Sequence, residues 1–238
     1  MPSKKYRHPE EPAIAGVSKD AETQCSNLCA VPRSAKDAAM TIFHLLRHGE
    51  HNVQGRICAG RMPGVVLSER GRTEAESAAS RLSSAGIAAI YASPLERTRE
   101  TAEIVGQHLS LPVNVLDDLA ELDFGEWTGK TFDEVRKDPR WPEWASHRSL
   151  SCIPGGETMR AVQRRVVEAL MEMRAQHPDD AIVVVSHGDV IRAALVFALG
   201  MPLDFYARIE VATASLSTMR IDANGVRVIA VNERTSAA

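Results

Sequence analysis

An α/β domain built on a largely parallel sheet is what the sequence predicts, and three observations predict it. Two apolar runs, Thr41–Leu46 and Ala181–Val185, are each followed within two residues by a His-Gly, His48-Gly49 and His187-Gly188. Between them, short apolar runs alternate with segments of helical periodicity, the pattern of βα units. The run 181–185 is apolar at every residue. Such a strand needs cover on both faces, which helices on either side of a parallel sheet provide.

Taken in order, residues 1–37 mix charges, prolines and small residues without apolar periodicity, and are read as a mobile leader. The folded domain is expected over 38–238. Its first strand is 41–46, followed by a loop rich in Gly and Arg from Gly49 to Gly64. Ser68-Glu69-Arg70-Gly71 leads into a helix whose apolar positions are Ala75, Ala78, Ala79, Leu82 and Ala85, with Gly86 as the stop. A strand follows at 87–92. Ser93 as N-cap and Pro94 at the first helical position open a second helix, to about His108. Pro112 to Leu116 is a further strand, and Thr131 to Lys137 a short helix. Trp127, Trp141 and Trp144 crowd into this region, either as a satellite cluster covering something or as ordinary packing under a long loop. A long helix from Glu157 places Met159, Val162, Val166, Leu170 and Met173 on one face. After the 181–185 strand comes a helix over 189–199, apolar nearly all round. Met219 to Val231 reads as a hairpin turning at Asn224-Gly225.

The chain has 238 residues, enough for one sizeable core. A formal net charge of −3 gives no reason to expect nucleic acid or an anionic membrane as partner. No apolar run approaches a membrane span, and Pro9, Glu10 and Glu11 stand where a signal peptide needs an apolar stretch. A cytoplasmic location is therefore expected. Cys25, Cys29, Cys58 and Cys152 follow no zinc spacing and read as free thiols. The sequence leaves a homo-oligomer open.

Ligands of open α/β sheets bind at the carboxyl ends of the strands. Three such ends deliver Arg47, His48, Arg97 and His187 to one rim. This set of cations and donors, with glycines that let backbone amides approach, is complementary to a dianion such as phosphate. Two arginines are hard to bury together unless an anion joins them. Phosphoryl transfer needs a nucleophile, donors for the equatorial oxygens and a proton for the leaving oxygen. An imidazole can be the first, and Glu121, just past the 112–116 strand, is the candidate for the last. His44, His48 and His51 would hold a metal only on a helix, and their setting is strand then loop, so no metal is expected.

These motifs together resemble the histidine phosphatase superfamily, which includes the cofactor-dependent phosphoglycerate mutases. The resemblance covers about 40–232. It rests on Leu46-Arg47-His48-Gly49-Glu50, Leu67-Ser68-Glu69-Arg70-Gly71, Ser93-Pro94-Leu95-Glu96-Arg97-Thr98 with Thr101-Ala102, Glu121 with Phe124-Gly125-Glu126-Trp127-Gly129, Pro154-Gly155-Gly156-Glu157, and Ser186-His187-Gly188. It implies a phosphoglycerate mutase-like fold, a three-layer sandwich with helices on both sides of the sheet. It implies His48 as a nucleophile that becomes phosphorylated, Arg47, Arg97 and His187 as ligands of the phosphoryl oxygens, and Glu121 as proton donor and acceptor. No metal and no cofactor would be needed, and the partner would be a small phosphorylated metabolite. Arg47, Gly49, Arg97 and Gly188 would bind substrate, together with Asn52 or Gln54. The chain departs from the family's pattern here: His51 stands where Ser or Thr is usual, and Asn52 comes early. Arg56 and Arg61 either engage a second anionic group or face solvent. Glu157 is placed at a helix N-terminus or near the pocket, and Arg192 is read as structural.

The expected reaction is phosphomonoester hydrolysis, with a phosphoglycerate mutase as the alternative and a non-catalytic member of the fold as a third reading. All five core residues are present, which argues against the third. A mutase must shield phosphohistidine from water, and family mutases do so with a long insertion between the acid and the second His. Glu121 and His187 are 66 positions apart. Once the intervening helix and strand are placed, about 35 residues remain for a lid, which favours the hydrolase.

Overall fold

Burial at every residue of Ala181–Ser186 explains the centre of the molecule. In the computed structural model, which describes residues 39–234, this segment is the strand β4. The expected leader 1–37 lies outside the described residues, as do Cys25 and Cys29; Cys58 and Cys152 are free thiols. The other strands are β1 (Thr41–Arg47), β2 (Ile87–Ala92), β3 (Val113–Val115), β5 (Leu216–Asp222) and β6 (Gly225–Glu233). The sheet order is β3-β2-β4-β1-β5-β6. The first four strands run parallel, β5 pairs antiparallel with β1, and β6 returns antiparallel to β5. The hairpin turns at Asn224-Gly225 as expected, but β5 begins three residues before Met219.

Alternation along β4 divides the core into two. Val183 and Val185 pack with Leu46, Ile90 and Ala92 against α1 (Glu69–Leu82) and α2 (Glu96–Leu109). Ile182 and Val184 face the other way, with Phe43, Leu45 and Met219, against α5 (Met159–Gln176) and α6 (Gly188–Ala198). Helices on both faces make the three-layer sandwich. The apolar stripe of α5 carries the packing: Met159, Val162, Val166, Leu170 and Met173 are all buried. Burying each such side chain stabilises the fold by roughly 1.5–3 kcal/mol.

Two short helices, α3 (Phe132–Lys137) and α4 (Trp141–Ser146), lie in the segment between β3 and α5. Thr131 caps α3 with a reciprocal box: its hydroxyl accepts from the Glu134 amide while the Glu134 carboxylate accepts from the Thr131 amide. The three tryptophans pack edge to face or tilted with ring centroids 5.2–5.8 Å apart. They extend the core cluster beneath α5 and α6 rather than forming a separate one. Trp127, fully buried, donates its indole N–H to Asp138 at 2.9 Å.

Two helix starts differ from expectation: α5 begins at Met159 behind the N-cap Thr158 rather than at Glu157. α2 begins at Glu96, with extended Leu95 at its N-cap position and no side-chain cap. Ser93 lies two residues before that cap; its hydroxyl accepts from the Leu95 amide at 3.4 Å and lies 2.7 Å from His187 Nε2.

Candidate active site

Strand register brings the expected groups together. Arg47 of β1 pairs with Ser186 of β4, so the next residue of each strand, His48 and His187, leaves the sheet at the same level. Their ring centroids are 5.2 Å apart. Ala92 of β2 pairs with Val185, which puts Ser93 and the start of α2, with Arg97, at the same rim. Glu121 arrives after β3 and the turn Asp117–Leu119, whose last carbonyl accepts the Ser186 hydroxyl at 2.8 Å.

Glycines fit the first loop against α1. A Cβ on Gly49 would stand 2.3 Å from the Gly71 carbonyl oxygen, and one on Gly71 would stand 1.9 Å from that of Glu50. The sequence reading gives Gly49 to a ligand; in the fold its amide donates to the Thr101 hydroxyl at 3.1 Å. The Gly49 carbonyl oxygen lies 2.8 Å from His48 Nδ1. A carbonyl only accepts, so Nδ1 carries the proton and Nε2 keeps its lone pair. Burial, with Arg97 and Arg47 nearby, holds the His48 pKa well below the ordinary value, so the imidazole is neutral.

The same reasoning fixes His187. Ser93 Oγ is fully buried and meets no acceptor among the described residues other than His187 Nε2, 2.7 Å away, so the hydroxyl gives its proton to that nitrogen. The neutral ring, its pKa lowered chiefly by burial, then carries its proton on Nδ1. That nitrogen meets no hydrogen-bond acceptor among the described residues, with Glu121 Oε2 3.9 Å away. Arg97 is 1% exposed and gives Nη2 to the Gly60 carbonyl at 2.8 Å, leaving Nε and Nη1 without acceptors. Arg47 gives Nη1 to the Val211 carbonyl at 2.6 Å and keeps Nε unanswered. Four buried N–H groups thus converge without protein acceptors, each costly to leave so. A phosphoryl group has the oxygens to satisfy them.

Glu121 accepts from the Leu122 amide at 2.9 Å. Burial first, and the Asp189 carboxylate second, push its pKa up to about 7 against the opposing pull of Arg97 and Arg47. It can therefore hold or release a proton at neutral pH.

Arg47, His48, Arg97 and Glu121 line a cavity of about 250 Å³, while His187, fully buried against the His48 ring, stands behind its lining. Its outer wall is aromatic, with Phe124, Phe132, Trp141, Trp144 and Tyr206. Gly188 is at the cavity, where a Cβ would come within 3.4 Å of Arg47 Cζ. Of the two alternatives near residue 53, Gln54 lines the cavity with its Oε1 unpaired, while Asn52 is exposed and off the lining. His51 also lines it, its pKa lowered to about 4 by burial and the two arginines.

Arg56 and Arg61 are not at the lining. Arg56 donates to the Asn52 carbonyl, and Arg61 donates to the Glu121 carbonyl at 2.8 Å and to Glu157 at 3.0 Å. Glu157 is spent on Arg61 and Arg165 rather than on a helix end or the pocket. Besides Arg47 and Arg97, the arginines that reach the cavity are Arg148 and Arg192. Arg192 is structural as expected, donating to the Ile209 carbonyl, and it also faces the cavity. Arg148 was not singled out in the sequence: it follows a short helix and carries no motif. Ser93 could have been found, since Ser-Pro directly after β2 stands on the rim.

The chain matches the family model "Histidine phosphatase superfamily (branch 1)" over residues 43–234. Phosphoserine phosphatase 1 of Hydrogenobacter thermophilus is 33% identical over 185 residues, 75% of this chain and 85% of that protein. Among solved structures, Bacillus stearothermophilus YhfR superposes with a TM-score of 0.77 at 30% identity, covering 82% of this chain and 98% of that one. The mycobacterial glucosyl-3-phosphoglycerate phosphatase Rv2419c gives 0.73 at 26% identity, over 81% of this chain and 99% of that one.

Proposed function

The chain belongs to the histidine phosphatase superfamily, as an enzyme of the phosphatase type, and from that premise we propose that it is a metal-independent phosphomonoester hydrolase working through a phosphohistidine on His48. One observation carries the reading: a neutral imidazole with its Nε2 lone pair free stands among four unanswered N–H groups of Arg47, Arg97 and His187. His48 Nε2 attacks phosphorus, the arginines and His187 take the charge of the equatorial oxygens, and Glu121 gives its proton to the leaving alkoxide. The carboxylate so formed then takes a proton from water as that water attacks the phosphohistidine, and inorganic phosphate leaves with Glu121 protonated again. Fixed cations supply the charge neutralisation that a metal ion would supply elsewhere. Gln54, at the cavity, is the better placed of the two amides to touch the ester. The leader 1–37 and the catalytic domain 38–238 remain our division of the chain.

The mutase alternative is disfavoured by the segment between Glu121 and α5, which holds two six-residue helices and the single 3-10 turn Gly125–Trp127 and offers little to keep water from a phosphohistidine. The substrate is a small phosphorylated metabolite, in keeping with the cavity's size. The test is a panel of phosphomonoesters assayed for released phosphate with and without EDTA, on wild type and His48→Ala. Chelation should leave activity unchanged and the substitution should abolish it. Full activity in His48→Ala, loss on chelation, or isomerisation of 3-phosphoglycerate without phosphate release would overturn the reading.

A further inference from the structure

Two arginines line the cavity besides Arg47 and Arg97, and only one of them is answered. Arg192 Nε donates to the Ile209 carbonyl at 2.8 Å, and its Nη1 lies 3.3 Å from Asp189. Arg148 is 7% exposed, and its Nε and Nη1 meet no acceptor among the described residues. A cation taken out of water without an anion is costly. Stacking offsets part of that cost: Arg148 Cζ stands 3.8 Å over the Trp144 ring and 4.2 Å over that of Tyr206. The stacking also fixes the guanidinium plane, yet it leaves Nε and Nη1 without acceptors.

The placement is built rather than incidental. The next residue, Ser149, gives its amide and its hydroxyl to the Asp204 carboxylate, both at 2.8 Å. The backbone that carries Arg148 is thereby tied to the Leu203–Arg208 turn that carries Tyr206. Arg148 is thus in the same condition as Arg97: buried, at the cavity and short of acceptors. It comes from the aromatic wall, not from the sheet rim.

We propose that Arg148 binds a carboxylate of the substrate, so that the preferred phosphomonoester carries a carboxylate on its leaving group. The inference rests on the hydrolase reading above. A carboxylate fits better than a second phosphate because Asp189 lines the same cavity beside Arg192. A further dianion would face that negative charge, whereas one planar monoanion matches one free guanidinium.

The experiment compares kcat/KM on carboxylated and uncharged alkyl phosphates of equal length, for wild type, Arg148→Lys and Arg148→Met. Wild type should favour the carboxylated ester. In Arg148→Met the ratio of the two kcat/KM values should fall by about 30-fold, the scale of a lost charge-assisted hydrogen bond. Arg148→Lys should keep part of the ratio, since it keeps charge but not the planar fork. The loss should lie in KM. Equal losses on both esters would show a merely structural residue and overturn the inference while leaving the hydrolase standing. Calorimetric titration of a phosphonocarboxylate against the matching alkylphosphonate reads the same preference without turnover. Should no ester be hydrolysed, the hydrolase reading fails, and this titration still decides the subsite: equal affinities in wild type would overturn it.

Discussion

At the residue scale the site is a matter of where protons sit. One backbone carbonyl, that of Gly49, decides that His48 is a nucleophile, and one hydroxyl, that of Ser93, decides that His187 is a donor. Glu121 is set apart from the other acids of its loop by burial, which raises its pKa to about 7. The sign of its pH dependence follows. In the free enzyme Glu121 is protonated below that value and can act as acid, and above it the acid is lost. For an alkyl phosphate, kcat/KM should fall with rising pH above about 7, approaching tenfold per unit. Glu121→Gln should remove that limb and lower kcat/KM by about 10²–10⁴. A flat profile from neutral to alkaline pH in the wild type would remove Glu121 from the role of proton donor.

At the element scale, the sequence was most legible where periodicity and geometry act locally. The face of α5, the all-apolar β4 and the hairpin at Asn224-Gly225 follow from patterns of 3.6, of uniform burial and of turn chemistry. α2 starts two residues later than the Ser-Pro pair suggests: Leu95 is still extended, and Ser93 meets His187 of another strand. No local pattern contains that contact. Arg148 was invisible for the same reason, since only folding brings it between Trp144 and Tyr206. The glycine of Arg47-His48-Gly49 was legible, but the close approach of α1 that excludes a Cβ there was not. That contact gives a prediction. Gly71→Ala puts a Cβ against the Glu50 carbonyl, and backbone cannot yield as a flexible side chain can. The turn carrying His48 must shift, and a displacement near 1 Å costs about 10² in rate. We expect kcat to fall by that order, with a loss of about 1–3 kcal/mol in urea unfolding. Wild-type kcat in Gly71→Ala would mean that this packing does not position the nucleophile.

At the scale of the whole molecule, the buried imidazoles set how stability answers to pH. Burial lowers the pKa of His44, His48, His51 and His187 in the native state. Unfolded, each takes up a proton near 6.5, so unfolding binds protons and stability is lost as pH falls below that value. Glu121 acts in the opposite sense. Its native carboxyl keeps a proton up to about 7, so its contribution is present at low pH and is lost as pH rises from its ordinary 4.5 through that value. Four imidazoles outweigh one carboxyl, and the Tm should fall from pH 7 to pH 5; a rise would mean that these histidines are charged in the native state. The pairing of Arg47 with Ser186 has a last consequence. The interval between nucleophile and donor is one step of a hydrogen-bonded ladder, and a ladder slips only by whole residues. A slip of one would turn every side chain of the strand to the opposite face and offer Ser186 or Gly188 where His187 stands. The spacing on which the chemistry depends is therefore discrete: it is kept whole or lost whole, with no intermediate value for drift or gradual loosening to reach.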